Sequence, residues 1–267
     1  GVVRTFASHP NSRSVRAALP EGVRRPLFGF LGRVYPKADW APRMFRAKTT
    51  FEGMARTSVE AYFQSVSFVK DGLRQQLFSD RFRAELGGYN AIDVLHRHAR
   101  RAGTDDPLAL VQYVDMHTYL VGDINTKVDR ASMAHSLEVR EPLMDHPLVE
   151  WAATLPSSLK LRGDQGKHVL KKAMEPMLPL DVLYRPKMGF AVPLAKWLRG
   201  PLRERMHAAA LEGPLADTGW FNPRFVRQMI EQHERGTRDF ATPLWTLLMF
   251  DAFLRVAHGQ QASAAAA

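Results

Sequence analysis

Three stretches of the sequence combine charged and small residues in ways that could support chemistry. In the first, residues 123–145, acids and cations recur at intervals of three and four, as Asp123 and Lys127 do. On a helix such residues share one face and can form ion pairs. A solvated face held by ion pairs is the simpler interpretation of this stretch, and a role in chemistry is the alternative.

The second stretch contains Lys167, which is predicted to lie in the first turn of a helix that Asp164 opens. A cation at this position opposes the positive end of the helix dipole at a cost of about 0.3–1 kcal/mol. Helix N-termini and lysines both attract anions, so a bound phosphate would turn this conflict into a binding site. The alternative is a solvated lysine that bends away from the helix end.

The third stretch, residues 184–193, is a loop stiffened by two prolines, and it carries Lys187 and Gly189. The glycine lets the backbone turn sharply, while the prolines restrict it. One helix and a return of the chain separate Lys187 from Lys167, which allows the two ammonium groups to converge. Two converging lysines repel each other unless a polyanion lies between them, and pyrophosphate is such a polyanion.

The elements that must position these residues are predicted to be mainly α-helical. Asp106 and Pro107 mark the start of a helix that extends to about Gly122. The other helix boundaries are predicted at Asp145, Pro156, Asp164 and Pro176. The side chains predicted to face inward are Leu148, Trp151, Ala152 and Leu155 in one helix, and Val169, Leu170, Ala173, Met174 and Met177 in the next. Short strands are predicted only near residues 137–140 and 159–161.

The composition fits one or two domains of a water-soluble protein. The chain has 267 residues, of which 45% are hydrophobic, and no apolar run approaches the roughly 18 residues that a membrane helix requires. The absence of cysteine excludes disulfides, thiolate metal sites and cysteine nucleophiles within these residues. We therefore expect a cytoplasmic protein without a membrane span, and the sequence indicates no metal site.

Positive charge is concentrated in residues 1–50, which are broken by prolines and glycines and contain several aromatic residues. Such a segment could bind nucleic acid or an anionic membrane surface. The scattered placement of the cations favours instead an arm that packs against its own protein. We expect helical structure across residues 51–258 and a disordered, low-complexity tail at residues 259–267.

In order and spacing, these stretches resemble the synthetase domain of the glutamine-hydrolysing asparagine synthetases, most strongly across residues 119–200. The matching segments are Val128-Asp129-Arg130-Ala131-Ser132-Met133, Leu137-Glu138-Val139-Arg140, Pro142 with Asp145, Lys167, and Arg185-Pro186-Lys187-Met188-Gly189-Phe190. The sequence departs from the family pattern at Leu143 and Met144, where phenylalanine and leucine are usual, and at Pro176, where the family usually continues a helix. Residues 48–51 and 60–68 are similar to the amidotransferases associated with exosortase A systems and exopolysaccharide loci in bacteria.

The resemblance implies an ATP-dependent, glutamine-dependent amidotransferase. In such an enzyme one domain hydrolyses glutamine to ammonia. Another uses ATP and Mg²⁺ to adenylate a carboxylate, which ammonia converts to an amide with release of AMP and pyrophosphate. By position in the motifs, Lys187 would be the main catalytic cation, Lys167 and Gly189 would join it in binding the cofactor, and Asp123 would orient the acceptor or accept a proton.

Residues that the resemblance assigns to the scaffold of the site, rather than to bond making, are Asp129, Arg130, Glu138, Arg140 and Asp145. Without the resemblance, Glu138, Arg140 and Asp145 could be an ordinary buried salt-bridge set that fixes a turn.

The resemblance also implies the fold and the partners. The chain would be the helical C-terminal part of an α/β synthetase domain of the adenine nucleotide alpha hydrolase type, whose parallel sheet is largely missing from these residues. It has neither a cysteine nucleophile for glutamine nor a Ser-Gly-Gly-x-Asp-Ser phosphate loop. We therefore expect an upstream glutaminase and PP-loop portion of the same protein, an exposed apolar face where the sheet docks, and no amide formation by the chain alone. The expected substrates are ammonia and aspartate or an aspartate-like carboxylate, and a homodimer is a further expectation.

Two other functions stay open. A degenerate synthetase module could bind a polyanion, such as an acidic exopolysaccharide, through residues 1–50 without catalysis. Steep dependence of that binding on salt, with no response to ATP, would distinguish it. A β-lactam-forming or other amide-forming synthetase on the same scaffold would differ only in its acceptor.

Overall fold

The computed structural model describes residues 19–34, 51, 55–163, 165–186 and 192–265. It divides into two compact units. The first unit takes its residues from Gly1–Val66 and Ala91–Pro186, and the second from Ser67–Asn90 and Lys187–Ala267.

Helices make up most of the described residues, which confirms the prediction of a mainly α fold. In chain order they are α1 (Glu21–Val34), α2 (Ser58–Val66), α3 (Asp71–Leu77), α4 (Asp80–Glu85), α5 (Ile92–Ala99), α6 (Pro107–His117), α7 (Thr126–Met133), α8 (His146–Thr154), α9 (Ser157–Lys160), α10 (His168–Met174), α11 (Leu180–Leu183), α12 (Leu194–Arg199), α13 (Arg203–Leu211), α14 (Pro214–Asp217), α15 (Pro223–Glu234) and α16 (Ala241–Ala265). A π-helix (Leu120–Asn125) precedes α7, and a 3-10 turn (Pro142–Met144) precedes α8.

The strands found in the described part of the chain form one short antiparallel hairpin. β1 (Leu161–Arg162) pairs with β2 (Gln165–Gly166), so that Leu161 lies opposite Gly166. No parallel sheet occurs among the described residues, which is the arrangement expected of the helical part of a larger α/β domain.

The core of the first unit lies mainly among α2, α5 and α6. It consists of Val59, Tyr62, Phe63, Leu95, Leu108, Val111, Val114 and Leu161. Helix α6 begins where predicted, because the Asp106 carboxylate accepts a hydrogen bond from the backbone N–H of Ala109 at 2.8 Å and Pro107 occupies the first turn. Burial of each large aliphatic side chain contributes roughly 1.5–3 kcal/mol, so this small core depends on nearly all of its members.

Helix α6 ends at His117, earlier than the predicted stop at Gly122. The hydroxyl of Thr118 donates to the carbonyl oxygen of Val114 at 2.7 Å, and the backbone of Thr118 leaves the helical region (φ −129°, ψ −78°). Local hydrogen bonds of this kind compete with the regular helical ladder. The chain then continues as the π-helix, which leads directly into α7.

The second unit is built around α13, α15 and α16. Its fully buried side chains include Leu77, Leu198, Met206, Leu215, Met229, Ile230 and Leu244. Helices α3 and α4 are tied to the segment before α15 by backbone hydrogen bonds of 2.8 Å, from Ser79 to Trp220 and from Asn222 to Leu77. The same Ser79 and Asn222 side chains cap α4 and α15, so each residue fixes both a helix start and a contact distant in sequence.

Two arginines of α1 make contacts within the first unit. Arg24 donates to the carbonyl oxygen of Arg56 at 3.0 Å, and Arg25 pairs with the Glu60 carboxylate at 3.0 Å. For this helix, these contacts favour an arm that packs against its own protein. Much of the basic segment, residues 1–50, lies outside the described residues.

The predicted strands differ from those in the structure. Residues 137–140 form no strand, and the strand predicted at residues 159–161 is found instead at Leu161–Arg162. The shift arises because α9 follows Pro156 directly and occupies the residues up to Lys160. Proline favours such a helix start because its fixed φ suits the first turn.

Helix α10 begins at His168 rather than just after Asp164, because the β1–β2 hairpin occupies the intervening residues. It ends at Met174, before Pro176, as predicted. The expectation that four of these side chains face inward is wrong, since Trp151, Leu170, Ala173 and Met177 are all exposed, Met177 to 75%. Helical periodicity identifies which side chains share a face, but it does not identify what covers that face.

Helix α16 continues to Ala265 and so includes most of the tail that the composition predicts to be disordered. Alanine has the highest helix propensity of any residue, which favours this continuation. Across the described residues, the structure contains no helix with the length and apolar character needed to cross a membrane.

A buried histidine is expected to make the second unit sensitive to acid. His233 is fully buried, and its Nδ1 atom accepts a hydrogen bond from the backbone N–H of Phe240 at 3.2 Å. Burial, aided by the nearby charge of Arg199, lowers the pKa of His233, against the opposing effects of Asp239 and Glu234. Below the usual imidazole value of about 6.5, the unfolded chain therefore binds the proton more readily than the folded one.

We expect the free energy of unfolding to fall as the pH decreases from 7 to 5. The replacement His233→Asn keeps an acceptor near the Nδ1 position but cannot be protonated, so its pH dependence should be smaller. Urea unfolding followed by tryptophan fluorescence measures both, with His135→Asn, at an exposed position, as the control. Equal pH dependence in the wild type and His233→Asn would contradict the assignment.

Candidate functional site

The first part of the first predicted stretch, residues 123–133, lies on the π-helix and α7. Asp123 belongs to the π-helix, and its Oδ2 atom lies 2.9 Å from the Nζ atom of Lys127 on α7. This is the pairing that the spacing of four residues predicts. The Asp123 side chain is 39% exposed and that of Lys127 is 66% exposed. Short π-helical segments inside helices occur frequently at functional sites, because they re-aim side chains out of the regular ladder.

Polar side chains lie at intervals of four residues between the core of the first unit and Lys127. Tyr62 is fully buried, and its hydroxyl donates to the carboxylate of Asp115. Burial and this hydrogen bond raise the pKa of Tyr62. Burial, together with the nearby Asp123 carboxylate, raises the pKa of Tyr119. The set Tyr62, Asp115, Tyr119, Asp123 and Lys127 is called the polar ladder below.

Sequence reasoning missed most of the polar ladder. Asp115, Tyr119, Asp123 and Lys127 are spaced at intervals of four, and this periodicity could have indicated that they share one side of a helical segment. Tyr62 carries no such signal, because its partner Asp115 is 53 residues away in the sequence. The arrangement holds one carboxylate, that of Asp123, at the surface between a tyrosine and a lysine.

The predicted scaffold residues lie at the surface. Asp129 and Arg130 are exposed on α7. Arg140 and Glu138 form an ion pair with an Nε to Oε1 distance of 2.9 Å, and their side chains are 84% and 70% exposed. Asp145 occupies the N-cap position of α8 as predicted, although its side chain makes no capping hydrogen bond. The interpretation of Glu138, Arg140 and Asp145 as a buried salt-bridge set is therefore wrong.

Lys167 has an unusual backbone conformation. It is the N-cap residue of α10, not a member of its first turn as predicted, and it lies in the left-handed region (φ 61°, ψ 36°). A residue other than glycine in this region costs roughly 1–2 kcal/mol. Only Lys167 and Ser136 share this feature among the non-glycine residues that the structure describes. Strained backbone of this kind is concentrated at functional sites.

The β1–β2 hairpin presents the Lys167 side chain to solvent. Gly163 forms the hairpin turn with a positive φ of 61°, and Gly166, opposite Leu161, immediately precedes the lysine. Leu161 is buried in the core of the first unit, which anchors the hairpin. Lys167 is exposed, so its ammonium group is accessible to an anion.

The described residues that precede Lys187 form a polar anchor. The Tyr184 hydroxyl donates to Glu175 at 2.6 Å, and the Lys172 ammonium lies 2.9 Å from the same carboxylate. The hydrogen bond from Tyr184, followed by that from Lys172, lowers the pKa of Glu175. The ammonium of Lys171 lies 5.0 Å from the centre of the Tyr184 ring. Lys187 and Gly189 themselves lie outside the described residues.

Large apolar side chains are exposed along the same part of the first unit. These residues, called the exposed apolar set, are Val121, Ile124, Val128, Met133, Leu137, Val139, Leu143, Met144, Trp151, Leu159, Leu170, Met177, Leu178, Leu180 and Val182. Exposed apolar surface on this scale is typical of an interaction site. It agrees with the predicted exposed apolar face, and in the sequence it surrounds Asp123, Lys127 and Lys167.

Comparisons with known proteins agree with these features. A family model described as asparagine synthase matches residues 24–255. A "Putative asparagine synthetase (glutamine-hydrolyzing)" of Mycobacterium tuberculosis is 40% identical over 238 residues, which is 87% of this chain and 34% of that protein. "Asparagine synthetase (glutamine-hydrolyzing) 1" of Bacillus subtilis is 29% identical over 232 residues, covering 87% of this chain and 35% of that protein. No solved structure matched the chain.

These similarities define a class, that of proteins related to the glutamine-hydrolyzing asparagine synthetases. More specifically, the chain belongs to the asparagine synthase family. It spans about a third of the length of the curated relatives it matches.

Proposed function

We propose that the chain is the C-terminal part of an ATP-dependent, glutamine-dependent amidotransferase. In the proposed reaction a carboxylate oxygen of the acceptor attacks the α-phosphorus of ATP, and pyrophosphate leaves. Ammonia from glutamine then attacks the acyl carbon, AMP leaves, and a proton passes to a base. The observation that carries the proposal is the strained, exposed Lys167, which lies within the region matched by the asparagine synthase model.

In this proposal Lys167 neutralises charge on the pyrophosphate group. Several negative charges develop as the bond to pyrophosphate breaks, and fixed cations stabilise them most effectively when little reorganisation is required. The hairpin and the N-cap position hold the backbone of Lys167 in one conformation. Lys187 is proposed as the main catalytic cation. The anchor of Lys172, Glu175 and Tyr184 restrains the described residues that precede it in the sequence.

Asp123 is proposed to orient the acceptor or to accept the proton released by ammonia. Its carboxylate is paired with Lys127 at 2.9 Å and lies near Tyr119. A site that contains a surface carboxylate suits an acceptor with a cationic group. Aspartate, or a similar carboxylate that also carries a cationic group, is such an acceptor. Asp129, Arg130, Glu138, Arg140 and Asp145 are proposed to support the loops around it.

The residues of this chain account for contacts with only the phosphate groups of ATP. Lys167 can contact the phosphates, but the sequence has no glycine-rich loop whose N–H groups would surround them. Among the described residues, no group of three or more His, Cys, Asp or Glu residues could hold a metal ion. We therefore propose that ATP and Mg²⁺ are held mainly by another part of the protein, the PP-loop portion.

The exposed apolar set supports the same division of the protein. We propose that the parallel sheet of the synthetase domain covers these side chains, and that the glutaminase supplies ammonia from the same polypeptide. Burial of apolar surface at about 25 cal/mol per Å² makes such a contact strongly favourable. We further propose that the protein is cytoplasmic and forms a homodimer. Within the family, we propose that it is related to the exosortase A system-associated amidotransferases.

The decisive experiment uses the complete protein with ATP, glutamine and a panel of carboxylates that includes aspartate. We expect pyrophosphate, AMP and an amide in equal amounts with at least one carboxylate, and no pyrophosphate release by residues 1–267 alone. Failure of every carboxylate, combined with salt-sensitive binding of a polyanion, would favour the binding-module alternative. Robust pyrophosphate release by residues 1–267 would contradict the division of roles.

A further inference from the structure

Two histidines of the first unit approach each other away from the polar ladder and Lys167. His98 lies on α5 and His117 on α6, and their ring centroids are 5.3 Å apart with an angle of 36° between the ring planes. The two helices also share the core residues Leu95, Leu108 and Val111. The imidazole pair therefore bridges two helices whose relative position the core already restrains.

The separation of the rings suits coordination of one metal ion by both. Imidazole nitrogens bind Zn²⁺ at about 2.0–2.1 Å in tetrahedral sites, which places two ring centroids roughly 5 Å apart on either side of the ion. The observed 5.3 Å is close to this value. The two rings are therefore spaced as two ligands of one ion would be.

The hydrogen bond made by His117 provides a second, independent indication. Its Nδ1 atom lies 2.8 Å from the backbone carbonyl oxygen of Tyr113, so Nδ1 donates and carries the hydrogen. The Nε2 atom is then left with a free lone pair. Metal-binding histidines almost always donate their other ring N–H to a carbonyl, carboxylate or water, which fixes the tautomer. The Tyr113 ring packs against His117 with centroids 4.1 Å apart and restrains its orientation.

We propose that His98 and His117 form a two-histidine site for a divalent transition metal ion of the Ni²⁺, Cu²⁺ and Zn²⁺ class, with water completing the coordination. No third His, Cys, Asp or Glu ligand joins the pair among the described residues, which is the reason for assigning the remaining positions to water. Arg97 precedes His98 and Arg101 follows it by three residues, and the charge of both arginines repels a cation. This favours ions with high affinity for imidazole over Mg²⁺ or Ca²⁺.

The bound ion would clamp α5 to α6. Helix α6 leads through Thr118 to the π-helix that carries Asp123. By joining α5 to α6, the ion would therefore stabilise the helix from which the Asp123 segment continues. A ligand that binds only the folded state raises stability by mass action. The inference concerns metal binding and helix pairing, and it holds whether or not the protein forms amides.

Cu²⁺ provides the sharpest test, because it has the highest affinity in the series and reports its nitrogen ligands by electron paramagnetic resonance. We expect one equivalent of Cu²⁺ in the wild-type protein with two equatorial imidazole nitrogens. In His98→Ala and in His117→Asn, we expect loss of the two-nitrogen signal and at least tenfold weaker binding. Asparagine can still donate to the Tyr113 carbonyl, so His117→Asn tests ligation without removing that hydrogen bond.

His96→Ala is the matched control, since His96 lies on α5 two residues from His98 and therefore on a different side of the helix. It should keep the two-nitrogen signal, and added Zn²⁺ should raise Tm in this variant as in the wild type. Circular dichroism establishes that each variant is folded. A two-nitrogen signal that survives in His98→Ala or His117→Asn, or no binding above that of scattered surface histidines, would overturn the proposal.

Discussion

Replacement of Lys167 by glycine is expected to lower pyrophosphate release by the complete protein about 10²–10³-fold, the usual effect of removing one group that stabilises developing negative charge. The same replacement should raise stability by about 0.5–1 kcal/mol, because glycine adopts the left-handed conformation of this position without strain but loses more chain entropy on folding. A lower rate of pyrophosphate release together with a higher free energy of unfolding would indicate that the charge of Lys167 is needed for function and not for stability. The rate is measured at saturating ATP, and stability by urea unfolding.

Ser136→Gly supplies the matched control for backbone strain. Ser136 has a φ of 56°, close to the 61° of Lys167, and it is the other non-glycine residue with positive φ in the described part of the chain. It has no assigned role in binding or catalysis. We expect a similar gain in stability with unchanged pyrophosphate release. Full activity in Lys167→Gly would refute the role of the ammonium group, and equal loss in both variants would attribute the effect to backbone mobility.

The start of α6 and the end of α10 could be predicted because the physical cause lies within a few residues of each boundary. The Asp106 side chain and Pro107 act on the helix that follows them directly, and Pro176 prevents continuation of a helix that precedes it. The mainly helical fold could be predicted on the same grounds, since the apolar spacing is a local property of the chain.

The conformation of Lys167 could not be predicted from the sequence. Its left-handed backbone follows from the hairpin that ends at Gly166, and that hairpin depends on the burial of Leu161 in a core formed by distant helices. The residue pattern after position 164 predicts a helix, and it does not indicate the short β1–β2 pair. The strain at Lys167 is thus a consequence of tertiary packing, which is why it carries information about function that local propensity does not.

The contact between Tyr62 and Asp115 has a similar origin. The two side chains are distant in sequence and meet because α2 and α6 share a core, so neither residue has a local signal for the other. The exposure of Trp151 shows a second limit of prediction from sequence. An apolar stripe on a helix predicts burial only when the element that covers it is present. Under the proposed function, that element is the sheet in another part of the protein.

Asp123→Asn is expected to lower kcat/KM for the carboxylate acceptor about 100-fold in the complete protein, with a smaller effect on the KM for ATP. The replacement removes the negative charge but keeps the size of the side chain. Stability should change by less than about 0.5 kcal/mol, because the ion pair with Lys127 is largely exposed and such pairs contribute little. Steady-state kinetics with varied acceptor at fixed ATP measure the first effect, and urea unfolding measures the second.

Lys127→Met separates the carboxylate from its partner. It abolishes the 2.9 Å ion pair while it leaves Asp123 charged and near Tyr119. We expect only a severalfold decrease in kcat/KM, since the carboxylate keeps its negative charge. If the only role of Asp123 were to pair with Lys127, Asp123→Asn and Lys127→Met would lose activity equally, and both losses would be small. A large loss confined to Asp123→Asn, without a loss of stability, would instead require the charge itself to act on the acceptor.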